Sequence, residues 1–195
     1  MKAVIPVLLV AATILGSCHK NSLEPNEDVT ALKERFHGKY KIISATSDIA
    51  VDLDEDGRAT TDLSNEIPQL VNSDFTVLIT NSSTSNGYIG QLAQFWQHQN
   101  VTRNWNYSSP DSLHVLGFSY QPTPRRFNFN KELTQLLVEQ LSDAPADKGQ
   151  YPAPESITAV GPEQLLVITN RLLFVRKAWK PVCITVLYKR YSKTT

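Results

Sequence analysis

Hydrophobic and polar residues change rhythm several times along this chain. Residues 3 to 15, AVIPVLLVAATIL, are apolar without a break and follow the single positive charge of Lys2. A polar stretch without period, HKNSLEPNED, leads up to Asp28. Val29, Leu32 and Phe36 then recur at helical spacing, with Asn26 as a cap, Glu27 and Asp28 in the first turn, and Gly38 as a stop. From Gly38 the period falls to two. In KYKIISAT, Tyr40 and Ile42 alternate with Lys39 and Lys41, which predicts a strand. Further strands are predicted over 75–80, 87–99, 112–120, 125–130, 155–160, 164–175 and 183–191, separated by turn clusters such as NSSTSNG, QPTP and VGPE. One segment breaks the rhythm. In NKELTQLLVEQLS (130–142), Leu133, Leu136, Leu137 and Leu141 predict an amphipathic helix capped by Asn130. The proline- and alanine-rich DAPADKGQYPAP that follows reads as a long rim loop.

Many short strands between turns indicate a mainly β domain, a sandwich or a barrel. SLHVLGFSY carries apolar residues on both faces, which suits a barrel wall with a packed exterior as well as a sandwich with covered edges. With 195 residues there is material for one domain. The 19 basic and 19 acidic side chains balance, which argues against a nucleic-acid partner, since phosphate binding needs a cationic face.

The apolar run near the N-terminus spans only ~20 Å as a helix, short of a ~30 Å bilayer core, so it reads as a secretory signal rather than a membrane span. The run LGSC, Leu15 to Cys18, resembles the bacterial lipobox. That resemblance implies cleavage after residue 17 and acylation of Cys18, palmitate-type chains tethering the protein to the lipid bilayer. The expected organisation is a signal peptide (1–17), a lipidated tether with a short helix (18–37) and a barrel domain (38–195). His19, not an aspartate, follows the cysteine, and by Gram-negative sorting rules this implies an outer-membrane lipoprotein, on its periplasmic or surface face. Cys183 is then left unpaired and, in PVCITVLY, reads as a small core residue.

The order of these pieces resembles lipocalin-like lipoproteins of the Bacteroidota. It is carried by the lipobox, Gly38-Lys39-Tyr40 opening the first strand, VDLDEDGRATTDLSNEI (51–67), and the closing strand ITVLYKRY. The resemblance implies an antiparallel barrel of about eight strands with a short N-terminal helix and one additional helix. It implies no reaction. Lipocalins usually open with Gly-x-Trp, and here Tyr40 stands in the place of the tryptophan.

Candidate chemistry is sparse. No nucleophile elbow, zinc-protease motif or phosphate loop occurs, and the four histidines make no ligand spacing. Glu66 and the aspartates could form an acid–base pair, but no partner is recognisable, so the chain reads as a non-enzyme. In the acidic segment, Asp52, Asp54 and Asp56 hold positions one, three and five of a calcium loop, Gly57 holds six and Arg58 offers a carbonyl at seven. Position twelve is Leu63, and Asp62 is the nearest acid. The segment reads either as a structural Ca2+ site or as a solvated hairpin tip. The mid-chain aromatics either fill the core or line a cavity for a small apolar ligand, with Leu116, Phe118, Tyr120, Phe127 and Phe129 as lining. Trp105, in the polar RNWNYSS, is the expected exposed aromatic. Two functions follow: a tethered carrier of a small apolar molecule, or an accessory lipoprotein binding a protein or glycan through rim loops.

Overall fold

The computed structural model describes residues 28–83, 87–103, 113–140 and 151–195. The expected signal peptide, Cys18, Asn26 and Trp105 lie outside the described residues. Helix α1 (Val29–Phe36) is capped by Asp28, whose carboxylate accepts the Thr30 N–H at 2.9 Å. Nine strands follow: β1 (Gly38–Val51), β2 (Thr60–Asp62), β3 (Asp74–Asn81), β4 (Tyr88–Arg103), β5 (Leu113–Phe129), β6 (Leu136–Val138), β7 (Ser156–Gly161), β8 (Gln164–Val175) and β9 (Ala178–Ser192). A second, four-residue helix, α2 (Leu63–Glu66), sits between β2 and β3. The mainly β class is as the sequence predicts.

All pairings are antiparallel, in the order β6-β5-β4-β3-β1-β9-β8-β7, with β2 attached to β1. The first strand therefore pairs with the last, and β6 and β7 are the two ends of the order. The sheet is not closed by a ladder there. The two edges meet at the isolated bridge Gln135↔Thr158 and at the Ala159 N–H, which donates to the Thr134 carbonyl at 2.8 Å. Curling brings non-neighbouring strands face to face: the Gln99 side chain on β4 bonds both the N–H (2.8 Å) and the C=O (2.9 Å) of Phe174 on β8.

The core lies on one face, from Tyr40, Phe75, Val77 and Ile79 to Leu92, Trp96, Phe127, Phe129, Val167, Val186 and Tyr188. Helix α1 seats Leu32 and Phe36 on one end of it, Phe36 lying 4.6 Å from the Phe129 ring. A buried clamp fixes that end. Arg190 donates to the carbonyls of Glu34 (2.9 Å) and His37 (3.1 Å) and to Glu163 (3.0 Å), while the Tyr40 hydroxyl donates to the Phe36 carbonyl at 2.7 Å. Tyr40 thus anchors this end of the sheet with a buried aromatic ring. Gly38 makes the approach of β1 to β9 feasible: its φ is +141°, and a Cβ there would stand 2.1 Å from the Ser192 carbonyl oxygen.

Three expectations need correction. The helix predicted over 130–142 does not form within the described part of that segment. Asn130 accepts the N–H groups of Thr134 and Gln135, both at 2.8 Å, and this side chain–backbone turn reverses the chain into β6. Leu136 is then buried and Leu137 exposed, a period of two rather than 3.6. The second helix is instead α2. The QPTP stretch is not a turn, because β5 runs straight through it. Pro122 pairs with Phe95 and Pro124 with Ala93, while β6 covers only Phe127–Phe129 on the other side. The prolines' missing N–H groups therefore fall on an edge that no described strand covers. Finally, Cys183 is half-buried and lies between the core-facing Val182 and Ile184, so it points away from the core.

Candidate functional site

The acidic segment is pinned at both ends by buried side chains. Val51 and Leu53 anchor its entry, and Leu63 and Ile67 its exit. Between them the chain turns through Glu55 (φ 59°) and Gly57 (φ 87°). Asp54 accepts the Asp56 N–H at 3.2 Å, and Asp56 accepts the Arg58 N–H at 2.7 Å. Asp62, taken from the sequence as a substitute ligand, serves another purpose. It caps α2, accepting the Ser64 N–H at 3.0 Å and the Asn65 amide at 3.2 Å.

Glu66 is the acid that the loop count missed. It stands at the last position of α2, is only 2% exposed, and accepts the Leu53 N–H at 2.7 Å. Carboxylate oxygens of Asp52, Asp54 and Glu66 all lie within 4.8 Å of one another. Burial pushes the Glu66 carboxyl above its ordinary value; the Leu53 and Thr60 N–H groups oppose this, and the charges of Asp54 and Asp52 add to it. The available signal was an acid shortly after the twelve-residue count. A rigid spacing rule passes over it because α2 bends the chain back.

The interior of the curled sheet is occupied by side chains. Arg171 lies over the Trp96 ring at 4.8 Å and donates to Gln94 at 3.0 Å, and Gln94 in turn donates to the Tyr188 hydroxyl at 3.3 Å. Burial lowers Arg171 to about 10 and raises Tyr188 to about 12. The cavity between Trp96, His98, Gln99, Arg171, Leu173 and Trp179 holds about 10 Å³, room for no more than one water.

The five residues expected to line a ligand cavity do not converge on one. Phe127 and Phe129 are buried in the core, and Phe118 packs partly against it. Leu116 is 70% exposed and Tyr120 45% exposed. Tyr120 stacks on Phe95 on the side of the sheet away from the core, with centroids 5.3 Å apart and planes 17° from parallel. Burial raises the Tyr120 hydroxyl, and the Asp74 charge adds to this. Two residues further along the same face opens a groove of about 550 Å³. Leu78, Ala93 and Pro124 supply its apolar surface; Thr76, Gln91, Arg126 and Glu139 supply its polar one. On the neighbouring strands, Lys41 lies 4.8 Å from the centroid of the exposed Tyr191 ring. A flat aromatic beside amides, a guanidinium and carboxylates can bind a ligand that has both apolar faces and many hydroxyls.

Comparison with family models, with curated proteins and with solved structures finds no match.

Proposed function

We propose that this chain is an outer-membrane lipoprotein, held to the bilayer by acylated Cys18, whose domain is a lipocalin-like barrel acting as a non-catalytic binding module for an envelope glycan. The observation that carries the binding mode is the groove on the outer face of β3, β4 and β5, with the stacked pair Phe95–Tyr120 on the neighbouring positions of the same strands. The small-apolar-ligand reading has less support, because Trp96, Arg171 and Gln94 occupy the interior where a ligand would sit. Barrel closure is supported by the strand order, a ring interrupted only between β6 and β7, and by the hydrogen bond and bridge at that junction. The lipobox and the Gly38-Lys39-Tyr40 opening support the lipoprotein family.

A glycan fits the groove better than a peptide for two reasons. Where the groove meets the part of β5 that β6 does not reach, Pro122 and Pro124 have no N–H to give, so main-chain pairing with an added strand is curtailed. Its polar groups are those that meet sugar hydroxyls, and the exposed Tyr120 face offers a platform for a pyranose ring. The test uses the mature lipoprotein in mild detergent, probed with purified envelope polysaccharide by isothermal titration and analysed by native mass spectrometry. Saturable polysaccharide binding, weakened at least tenfold by Tyr120→Ala with an unchanged melting temperature, is the expected result. Co-purification of a lipid-sized molecule with no polysaccharide binding would return the internal carrier to first place.

A further inference from the structure

Outside the proposed binding groove, and independent of it, the structure holds one cluster whose chemistry is incomplete. We infer that Asp52, Asp54 and Glu66 form a calcium site in which Glu66 of α2, rather than an acid at the twelfth loop position, supplies the inner ligand. Their oxygens lie within 4.8 Å of one another. Two further observations point to a cation. The Oδ1 atom of Asp52 is sealed from solvent and meets no hydrogen-bond donor. Glu66 is 2% exposed, yet neither it nor Asp52 forms an ion pair among the described residues. Buried polar atoms are ordinarily satisfied, and an orphaned carboxylate oxygen on a residue grouped with two other carboxylates is costly unless a positive ion compensates it.

The donor set selects the ion. The cluster offers oxygen only, with no histidine or cysteine, which disfavours zinc and other soft or borderline metals. Calcium–oxygen distances of about 2.3–2.6 Å place opposed ligands about 5 Å apart, which accommodates the observed spread. Magnesium demands strict octahedral geometry and keeps several waters, which three carboxylates on a loop and a helix end suit less well than calcium's flexible shell. The gradation of exposure also fits. Glu66 closes the inner side, Asp52 stands between, and Asp54 faces solvent, where water can complete the shell and the ion can enter. Asp62 caps α2 and Asp56 accepts the Arg58 N–H, and neither belongs to the cluster. The ion would tie the loop after β1 to the end of α2, adding to the hydrogen bond by which Glu66 already holds the Leu53 N–H.

The experiment titrates calcium chloride, and separately magnesium chloride, into chelator-stripped mature lipoprotein, with melting followed in parallel. The expected result is one calcium per chain with a dissociation constant of roughly 10⁻⁵ to 10⁻³ M, at least tenfold weaker magnesium binding, and a calcium-dependent rise in melting temperature. Glu66→Gln keeps an acceptor for the Leu53 N–H and should weaken calcium at least tenfold. Asp54→Asn, at an exposed position, should do the same without changing the melting temperature of the stripped protein, so a folding defect cannot imitate the result. Asp62→Asn should leave calcium affinity within twofold of the parent. Absence of calcium binding, or equal binding by the parent, Glu66→Gln and Asp54→Asn, overturns the assignment. Polysaccharide binding at the groove is read separately, and loss of one does not entail loss of the other.

Discussion

Asn130→Ala tests the turn that decides how the chain passes from β5 to β6. The Asn130 carbonyl oxygen accepts two backbone N–H groups at 2.8 Å, and its amide donates to Glu132 and Thr134, both at 3.0 Å. Alanine removes all four contacts. The two backbone donors are exposed and regain water, so each lost bond is worth about 0.5–1.5 kcal/mol, and the pair about 1–3 kcal/mol. The two bonds to exposed side chains add little. Leu133 holds φ at 54°, and that strain of roughly 1 kcal/mol is held in place by the turn that Asn130 organises. A domain of this size loses about 2–4 °C per kcal/mol, so the melting temperature should fall by about 2–12 °C. The assay is urea unfolding of the lipoprotein followed by Trp fluorescence and by circular dichroism. A lower midpoint with an unchanged slope is expected, since the compactness of the native and unfolded states is unaltered. A destabilisation below about 0.5 kcal/mol would refute the assignment of the turn to Asn130. A gain in helical signal in the native state would go further and restore the helix that the leucine spacing predicts.

Two other perturbations probe different parts of the fold. Gly38→Ala places a Cβ 2.1 Å from the Ser192 carbonyl oxygen and strains a φ of +141°, so β1 must part from β9 beside the Arg190 clamp; a loss of at least about 2 kcal/mol is expected in urea unfolding, and a loss below about 0.5 kcal/mol would mean that the two strands do not approach so closely. In chelator, the Glu66 carboxyl titrates above 4.5 in the folded state, chiefly because it is buried, and near 4.5 when unfolded. A raised folded value means that the folded state binds the proton more readily, so this group's contribution is complete below about pH 4.5 and is lost as pH rises through the folded value. Comparing metal-free parent with Glu66→Gln across that window, the parent should lose more stability with rising pH, and parallel profiles would remove Glu66 as the source. Calcium in excess should reverse the sign, because binding the ion requires the ionised carboxylate.

The local features legible in the chain are those that depend on a few neighbouring residues. Val29, Leu32 and Phe36 announce α1, and alternation from Lys39 onward announces β1. The Asp52-x-Asp54-x-Asp56-Gly57 run announces a tight turn, which forms, but of its acids only Asp52 and Asp54 come together, joined by Glu66. The 130–142 segment was misread because leucines three and four apart satisfy a helix on paper, whereas Asn130 offers the backbone a competing set of acceptors. Pro122 and Pro124 were read as breakers because their tolerance depends on where the edge of the sheet falls. That edge is set by how far β6 reaches along β5.

The amino-acid sequence by itself determined the mainly β class, the short leading helix and the acidic turn, since periods of two and 3.6 and the conformational freedom of glycine act within a few residues. Tertiary structure decided the rest. Strand pairing set by the whole sheet brings Gln99 to Phe174 and Arg171 to Gln94, filling an interior that the pattern alone would permit to be hollow. The same curling turns Tyr120 and Phe95 outward, while Phe127 and Phe129, further along β5, turn inward. Glu66 joins Asp52 and Asp54 because α2 folds back onto β1, a return governed by the burial of Leu63 and Ile67 rather than by any spacing of acids.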